Sequence, residues 1–479
     1  MQPSRIYYLR KAKLCYPMKI AIRYIFKILC IVVSVFISTN TNAQGLTRYA
    51  SSVDGIDAER VSIYIEDMRS GEVILDVNGE LPMTPASVTK LFTAATIFQT
   101  SDLKNTFKTH VYINGEIKNK TLQGNLIIES SGDPTLESKY FPDHQGIIDS
   151  IIYSIKAIGI NNINGSILVE MPSWLKEKTP DGWKLTDVAW PYGAGYYPFN
   201  YADNKVVMRF NKDGSYTFKP NTPGLKARKG EIREGESVWR EKDSEIYNVR
   251  WRSNKPLVLE VANPLPQNTF ISTLKLKLTN NNIAFSENQN IKSKKRQLIY
   301  IHESPTIYEI LKSLVLRSDN QMAEAMLRHA FPNTSRSVAV KNEHDLWNTL
   351  GVDIQDMYLE DGSGLSRNNK ITAYTLADML IWMALNDKNF IDFLKMFPRA
   401  GETGTLKSFL KDTPLQGRFV AKTGSLNKVQ CYAGYNLDEI GVPTHVVVIM
   451  INGFKGNRAS LKTKLQDLLL EKLLSEEQL

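Results

Sequence analysis

The chain has 479 residues, of which 42% are hydrophobic and 23% are charged, a composition typical of a globular protein with two or three domains. Its net charge of +9 comes mostly from residues 1–43, which hold seven basic residues and no acidic one; the rest of the chain has 52 basic residues (59 less 7) and 50 acidic ones. This balance removes the electrostatic basis for nucleic-acid binding, and no nucleic acid is expected as a partner.

The first 43 residues form a predicted secretory signal. Basic residues precede the apolar run from Ile28 to Ile37, which is short for a membrane span of ~20 residues, and the small residue Ala43 follows the run. We therefore predict cleavage near Ala43 and a periplasmic mature protein. An uncleaved amino-terminal anchor is the alternative, so membrane contact is allowed but not required. Cleavage would leave Cys431 as the single cysteine, which excludes an intrachain disulfide.

Residues 44–108 are predicted to form the first part of a domain. Alternating apolar and polar residues predict a β-hairpin with strands at 61–68 and 72–78, and the small and apolar residues of 84–98 predict a buried helix. Residues 109–300 differ in character, because strand signals separated by charge-rich turns dominate there. We predict that this segment is a β-rich insertion of one or two domains.

Residues 301–479 are predicted to form the second part of the interrupted domain. Three helix signals are followed by three strands and a closing amphipathic helix, at 306–317, 320–330, 371–385, 418–426, 429–437, 445–452 and 460–474. Because two strands near one end and three near the other can complete one antiparallel sheet, we expect the two terminal parts to pack together as one α/β domain.

Two polar residues in the first predicted helix, Ser87 and Lys90, are candidates for catalysis. Positions three apart share a helix face, so the two side chains would lie one turn apart. A serine hydroxyl needs a neighbouring base to act as a nucleophile, and burial lowers the pKa of a lysine toward neutrality. The alternative is that Ser87 caps the helix and Lys90 extends to solvent. For an isolated S-x-x-K pattern, that alternative is the more frequent one.

The S-x-x-K pattern discriminates poorly by itself, because it begins at six serines: Ser87, Ser101, Ser173, Ser272, Ser408 and Ser425. Two further motifs, each present once, follow Ser87: Ser318-Asp319-Asn320 between two predicted helices, and Lys422-Thr423-Gly424 on a predicted strand. Serine, asparagine and a strand-borne lysine can relay a proton, hold a substrate backbone and bind a carboxylate. The three motifs in this order are the set found in serine β-lactamases and penicillin-binding proteins.

The separation of Ser87 and Ser318 by 231 positions exceeds what a compact β-lactamase would place there. With the stretches PASVTKLFTAA, NLIIESSGDPTL, LEDGSGLSRNN and VAKTGSLNKVQCYAGY, the chain resembles the D-alanyl-D-alanine carboxypeptidase/endopeptidase family of PBP4 type, the class C low-molecular-mass penicillin-binding proteins of peptidase family S13. The resemblance spans essentially the whole mature chain, with 205–260 matched loosely. It implies a transpeptidase/β-lactamase-like α/β domain, a five-stranded antiparallel sheet flanked by helices, with a large β-rich insertion.

The resemblance also implies roles for individual residues. The implied catalytic residues are Ser87, Lys90, Ser318, Asn320 and Lys422, and the implied substrate-binding residues are Thr423, Gly424 and Ser425. In this assignment Ser87 carries the acyl group and Lys90 is its general base. Lys422 and Thr423 would bind the terminal D-Ala carboxylate, and the backbone N–H groups of Ser87 and Ser425 would form the oxyanion hole.

Other residues are expected to stay outside the chemistry. The six histidines show neither an HExxH pattern nor a close cysteine partner, so no metal and no other cofactor is expected. Asp319 receives no role, and Ser363, which lies between two glycines, is predicted to occupy a turn rather than to act as a nucleophile. The aromatic residues of 183–197 are expected to pack in the core of the insertion, with lining of the cleft as the alternative.

Three functions stay open on the sequence alone. The leading one is an exported serine DD-peptidase that hydrolyses the D-Ala-D-Ala termini of peptidoglycan stem peptides, D-Ala-linked cross-links, or both, with β-lactams as inhibitors. A β-lactamase needs fast deacylation, and no E-x-x-x-N element follows S-D-N at a suitable place. A non-catalytic cell-wall binding protein is the third, although such a protein would not need Lys90, Ser318 and Lys422 together.

Overall fold

A computed structural model of the chain describes residues 58–173, 179–230, 237–242, 244–251, 253–289 and 295–474. The predicted signal at 1–43 lies outside the described residues. The described strands are β1 (Val61–Asp67), β2 (Val73–Val77), β3 (Thr106–Lys118), β4 (Thr121–Glu129), β5 (Asn162–Gly165), β6 (Ile167–Glu170), β7 (Lys205–Phe210), β8 (Tyr216–Lys219), β9 (Lys226–Lys229), β10 (Val238–Trp239), β11 (Ile246–Val249), β12 (Leu257–Ala262), β13 (Ala284–Glu287), β14 (Arg296–Thr306), β15 (Phe419–Leu426), β16 (Val429–Leu437) and β17 (Pro443–Asn452).

The described α-helices come in two groups, separated by the strands of the insertion. They are α1 (Lys90–Thr100), α2 (Ile147–Ala157), α3 (Pro266–Asn280), α4 (Ile307–Arg317), α5 (Asn320–Ala330), α6 (Arg336–Thr349), α7 (Ala373–Asn386), α8 (Phe390–Leu394) and α9 (Arg458–Leu474).

A central sheet joins the two ends of the described chain. Its order is β15-β16-β17-β1-β2, and every neighbouring pair is antiparallel. This confirms the predicted five-stranded antiparallel sheet. Within it, Cys431 of β16 is fully buried and lies opposite Gly424 of β15.

Helices cover both faces of the central sheet because β17 is apolar on both sides. Side chains alternate across a strand, so Val448 and Met450 belong to one buried cluster while Val447 and Ile449 belong to another. The first cluster contains the buried side chains of α1, α4, α5 and α7. The second cluster contains the leucines of α9. Burial of each large apolar side chain stabilises this sandwich by about 1.5–3 kcal/mol before entropy is counted.

The β-rich insertion between α1 and α4 contains three sheets among its described residues. The largest has the order β13-β5-β4-β3-β14, with β6 also paired to β4, and α2 and α3 bury their apolar faces against it. Three isoleucines of α2 recur every fourth residue, which forms the apolar stripe: Ile147, Ile151 and Ile155. The two smaller sheets, β10-β11-β9 and β12-β7-β8, share a further apolar cluster.

The insertion leaves and re-enters the central domain through two paired strands. β3 and β14 are antiparallel, with Thr106 opposite Thr306. Thr306 then begins α4 with a capping box, since its hydroxyl accepts the N–H of Glu309 while the Glu309 carboxylate accepts the N–H of Thr306. The insertion therefore does not displace α4, whose far end carries Ser318.

Candidate active site

Ser87 lies in a tight turn that precedes α1, rather than within one continuous helix as predicted. Residues Ala86–Thr89 form a 3-10 turn, and the α-helix begins at Lys90. The break has a local cause, because Ala86 has a φ of 49°, in the left-handed region that a regular helix excludes. The Ser87 hydroxyl and the Lys90 amine still lie side by side, with 3.0 Å between Oγ and Nζ.

Lys90 is fully buried, which excludes the alternative in which it extends to solvent. Burial lowers the pKa of its amine to about 8. Three carboxylates oppose this shift: Asp361, Asp319 and Glu324. The amine therefore has a pKa close enough to neutrality for the neutral form to be well populated.

Two oxygens besides the Ser87 hydroxyl fix the Lys90 amine. Its Nζ donates to Oδ1 of Asn320 at 2.6 Å and to the backbone carbonyl of Ser363. The Asn320 amide is oriented in turn, because its Nδ2 donates to the backbone carbonyl of Tyr192 at 2.7 Å. When Lys90 is neutral, its two N–H groups satisfy Asn320 and Ser363, and its lone pair faces the Ser87 hydroxyl.

Ser318 and Asp319 lie at the break between α4 and α5, where the sequence placed them. Ser318 ends α4 in the left-handed conformation, with a φ of 62° and a ψ of 41°. Asp319 caps α5 by accepting the backbone N–H of Met322 at 2.9 Å. This conformation turns the Ser318 hydroxyl toward the sheet, where it accepts a hydrogen bond from Nζ of Lys422 at 2.8 Å.

Lys422 is fully buried on β15, and its Nζ also donates to the carbonyl of Thr423 at 2.6 Å. Burial first, and then the positive charge of Lys90, hold the pKa of Lys422 well below its ordinary value. Thr423 is half-buried and Ser425 is exposed, and the Ser425 hydroxyl donates to Oε1 of Gln430 at 3.1 Å. The Thr423 hydroxyl also contacts the hydroxyl of Thr405 at 2.8 Å.

Gly424 is the point at which β15 approaches the turn that carries Ser87. A Cβ at this position would lie 2.6 Å from the carbonyl oxygen of Pro85 and 3.1 Å from the backbone nitrogen of Ser87. Real Cβ atoms do not come that close to a backbone oxygen. The glycine therefore brings the strand close to the backbone N–H group of Ser87.

The sequence reasoning missed the part that residues 361–364 play. Ser363 lies in a turn, as predicted, but its carbonyl holds Lys90. The turn is folded around the buried Asp361 carboxylate, which accepts the backbone N–H groups of Gly364 and Ser366, each at 2.7 Å. Gly364 has a φ of 79°, and a Cβ there would collide with the Ala86 carbonyl at 1.9 Å. In the sequence, the two glycines and the aspartate of DGSG were the features that could have indicated a tight turn folded around a buried carboxylate.

The aromatic segment of the insertion contacts this turn instead of packing only within the insertion. Trp183 packs with Val188 and Leu365, and its indole N–H donates to Asp361 at 2.8 Å. Tyr196 belongs to the cluster beneath the central sheet, whereas the Tyr192 side chain is exposed. The insertion thus contacts the candidate site through the Trp183 indole and the Tyr192 carbonyl.

The described residues hold no group of three or more histidine, cysteine, aspartate or glutamate side chains arranged for a metal ion. Over the same described ranges, no helix is both long and apolar enough to cross a bilayer.

Comparison with known families and proteins gives a consistent result. The sequence profile of the D-Ala-D-Ala carboxypeptidase 3 (S13) family matches residues 43–472. The chain is 27% identical over 452 residues to D-alanyl-D-alanine carboxypeptidase DacB of Haemophilus influenzae, covering 89% of this chain and 91% of that protein. It is 23% identical over 414 residues to a D-alanyl-D-alanine carboxypeptidase of Actinomadura sp. strain R39, covering 78% of this chain and 74% of that protein.

Solved structures support the fold. The crystal structure of penicillin binding protein 4 from Haemophilus influenzae superposes with a TM-score of 0.72 at 24% identity, covering 90% of this chain and 98% of that one. The same protein complexed with a β-lactam superposes with a TM-score of 0.68 at 23% identity, covering 91% and 99%.

Proposed function

The chain belongs to the D-Ala-D-Ala carboxypeptidase 3 (S13) family, and from that premise we propose that it cleaves D-Ala-D-Ala termini or D-Ala-linked cross-links of peptidoglycan through an acyl-enzyme on Ser87. As a member of this family it is a serine-type D-Ala-D-Ala carboxypeptidase of the penicillin-binding PBP4-like group. One observation carries the finer assignment: the distance of 3.0 Å between the Ser87 hydroxyl and the fully buried Lys90 amine.

Acylation begins when neutral Lys90 accepts the hydroxyl proton of Ser87. The oxygen Oγ forms a bond to the carbonyl carbon of the penultimate D-Ala, and negative charge develops on the carbonyl oxygen. The backbone N–H groups of Ser87 and Ser425 are the proposed donors to that oxygen, and the close packing of Gly424 keeps the two segments together.

The leaving group departs when the peptide C–N bond breaks. The amine of the terminal D-Ala needs one proton, which returns from Lys90 through the Ser318 hydroxyl as the proposed relay. Water then attacks the ester, Lys90 accepts a proton from that water, and the proton passes to Oγ of Ser87 as the ester bond breaks. The two half-reactions restore the enzyme and consume one water molecule.

The β15 edge is the proposed binding site for the substrate's terminal carboxylate. Lys422 is buried with a strongly lowered pKa, so a bound carboxylate would supply a counter-charge and favour its protonated form. Thr423, which is half-buried on the same strand, is the second proposed partner of this carboxylate. The carboxylate of a β-lactam antibiotic would occupy the same site, so we expect β-lactams to inhibit the enzyme.

Intact-mass spectrometry after brief incubation with benzylpenicillin tests the assignment. One stable penicillin adduct on the wild type and none on Ser87→Ala is the expected result, together with release of D-Ala from a stem pentapeptide by the wild type alone. Penicillin consumed without an adduct would indicate a β-lactamase. Neither an adduct nor consumption, with the peptide left intact, would indicate a non-catalytic wall-binding protein.

We also propose that the mature enzyme works in the periplasm after cleavage near Ala43. The support is the order of basic, apolar and small residues in positions 1–43. Amino-terminal sequencing of the protein purified from a periplasmic extract should begin at Gln44. A membrane-bound protein that begins near Met1 would instead establish the anchor.

A further inference from the structure

A buried ion pair lies beneath the turn that holds Lys90. Glu324 of α5 is fully buried, and its Oε2 lies 3.2 Å from Nε of Arg336, near the start of α6. Glu324 follows Asn320 by four positions, so the two side chains lie on the same face of α5, one turn apart. Asn320 contacts Lys90 directly, whereas Glu324 contacts the turn behind it.

The second oxygen of this carboxylate holds the turn itself. Oε1 of Glu324 accepts the backbone N–H groups of Gly362 and Ser363, each at 3.1 Å. The carbonyl of Ser363 then accepts the hydrogen bond from Lys90. Without an acceptor at Oε1, two buried N–H groups would lose their partner, at a cost of about 1–3 kcal/mol each. The Ser363 carbonyl would then no longer be fixed.

We propose that Glu324 is a positioning residue for acylation: it fixes the Ser363 carbonyl and thereby aims the lone pair of Lys90 at the Ser87 hydroxyl. The inference rests on the proposed function, because it concerns the base of that reaction. The proposal adds to the site a residue that does not touch Lys90: the Glu324 carboxylate fixes Ser363, and Ser363 contacts Lys90.

The charge of Glu324 also acts on the proton of Lys90. The charged groups that face Lys90 are Glu324 on α5, Asp319 before α5, Asp361 in the turn and Lys422 on β15. The groups that face Glu324 are Lys90 on α1, Arg336 and Glu343 on α6, and Asp361 in the turn. Burial raises the pKa of Glu324 to about 7, while the Arg336 guanidinium, the two backbone N–H donors and the Lys90 amine favour its ionised form.

The test is the rate constant for acylation by benzylpenicillin, measured by intact mass between about pH 6 and about pH 10, for the wild type and Glu324→Gln. The amide keeps an oxygen for the two N–H groups but removes the negative charge. Loss of that charge favours neutral Lys90, so the pH at which the acylation rate constant rises should fall by about one unit. The maximal rate constant should stay within about tenfold of the wild-type value. A profile that superposes on the wild type would show that the charge of Glu324 does not act on Lys90, and Glu324→Asp, described below, would then decide the positioning role.

Glu343→Gln is the matched control. Glu343 is another fully buried carboxyl close to Glu324, but its Oε1 accepts from the Thr96 hydroxyl at 3.0 Å and it does not hold the turn. Burial raises the pKa of Glu343 to about 8, and Glu343 is not among the carboxylates whose charge acts on the Lys90 amine. The control should keep the wild-type profile. A shift as large as that of Glu324→Gln would show a general effect of buried charge and would overturn the assignment to Glu324.

Two further variants keep the test decisive if Glu324→Gln does not fold. Glu324→Asp keeps the charge but is one methylene shorter, so the maximal rate should fall about tenfold to 100-fold while the pH at which the rate rises stays unchanged. Thr93→Val removes the 2.8 Å hydrogen bond from Thr93 to the Gly362 carbonyl and should lower the rate without changing that pH. Unchanged rates in both would overturn the proposal. An unacylated wild type would instead contradict the proposed function.

Discussion

The two sides of the candidate active site each contain a fully buried lysine, but the two amines have different surroundings. Lys90, the first residue of α1, has three carboxylates nearby, and burial lowers its pKa to about 8. Lys422, on β15, faces the positive charge of Lys90 and has a pKa well below its ordinary value, with no carboxylate among the described residues raising it. Both lysine side chains are fully buried, so the difference between their pKa values comes from the neighbouring charges.

This difference suits the two lysines to separate tasks. An amine whose carboxylate neighbours keep its pKa near 8 can accept a proton from serine and give it back. An amine without a counter-charge gains most from an incoming anion, which the substrate provides. A buried lysine is therefore interpretable as a base or as an anion site only when its charged neighbours are known.

The largest effect is expected for Lys90→Met. Methionine keeps much of the side-chain volume but cannot accept a proton, so acylation by benzylpenicillin should fall by about 10³- to 10⁴-fold. The same substitution at Lys104, the exposed lysine of another S-x-x-K pattern, should leave the rate unchanged and serves as the control. Near-normal acylation of Lys90→Met would mean that another group deprotonates Ser87.

A smaller effect is expected for Lys422→Met. Loss of the proposed carboxylate partner should weaken acylation by about 100-fold, with most of the loss in KM for a stem pentapeptide rather than in kcat. A pentapeptide with an amidated terminus lacks the carboxylate and should discriminate little between variant and wild type. Equal losses on both peptides would show that Lys422 serves the proton relay instead.

Gly424→Ala should reduce acylation by about 50-fold, because the new methyl group would crowd the Pro85 carbonyl and the Ser87 N–H and push β15 away from Ser87. Gly159→Ala is a useful control. Its φ of 81° makes alanine strained, but a Cβ there meets nothing within 4 Å, and the position follows α2 in the insertion. That variant should lower the melting temperature with no change in the acylation rate per folded molecule.

The free energy of unfolding, measured as a function of pH without substrate, reports the cost of burying the Lys90 amine independently of its role in the reaction. The pKa of Lys90 falls from 10.5 to about 8 on folding, so the unfolded chain binds more protons between these values and stability rises with pH across that window. The contribution is on the order of 3 kcal/mol. Urea titrations at the two ends of the window should show this rise in the wild type and a smaller one in Lys90→Met. Identical slopes would contradict the lowered pKa.

Thr405→Val should have the smallest effect. The Thr405 hydroxyl contacts that of Thr423 at a partly exposed place, and such a hydrogen bond contributes about 1 kcal/mol or less. Acylation should therefore change by no more than about fivefold. A larger loss, measured with the same penicillin assay, would assign Thr405 a direct part in binding the carboxylate.

The sequence predicted those features of the fold and of the candidate site that depend on residues close together in the chain. The hairpin β1–β2, the strands β15 to β17, the break at Ser318 and the spacing of Ser87 and Lys90 were all predictable, because turn residues and periodicity report them directly. The contacts of Ser363 and Glu324 were not. They join α1, α5 and residues 361–364, which lie far apart in the chain, and no short-range pattern records which carbonyl faces a buried amine.

In the insertion, too, contacts between residues far apart in the chain could not be predicted from the sequence. Its β-rich character was predictable from its strand signals, but the contact of Trp183 with Asp361 was not. Packing across domains depends on the relative placement of whole sheets. An aromatic residue in the insertion therefore looks like an ordinary core residue until the other domain is present.

Cys431 gives this enzyme an internal reporter of strand opening. The thiol is fully buried opposite Gly424, its Sγ donates to the Thr84 carbonyl at 3.7 Å, and burial raises its pKa to about 12. A thiol-specific reagent can modify it only after β15 or the Ser87 turn has moved aside. In a protein that begins at Gln44, where Cys431 is the single cysteine, the labelling rate therefore measures how often the β15 edge of the sheet opens. Slower labelling after penicillin treatment would show that the acyl group closes that edge.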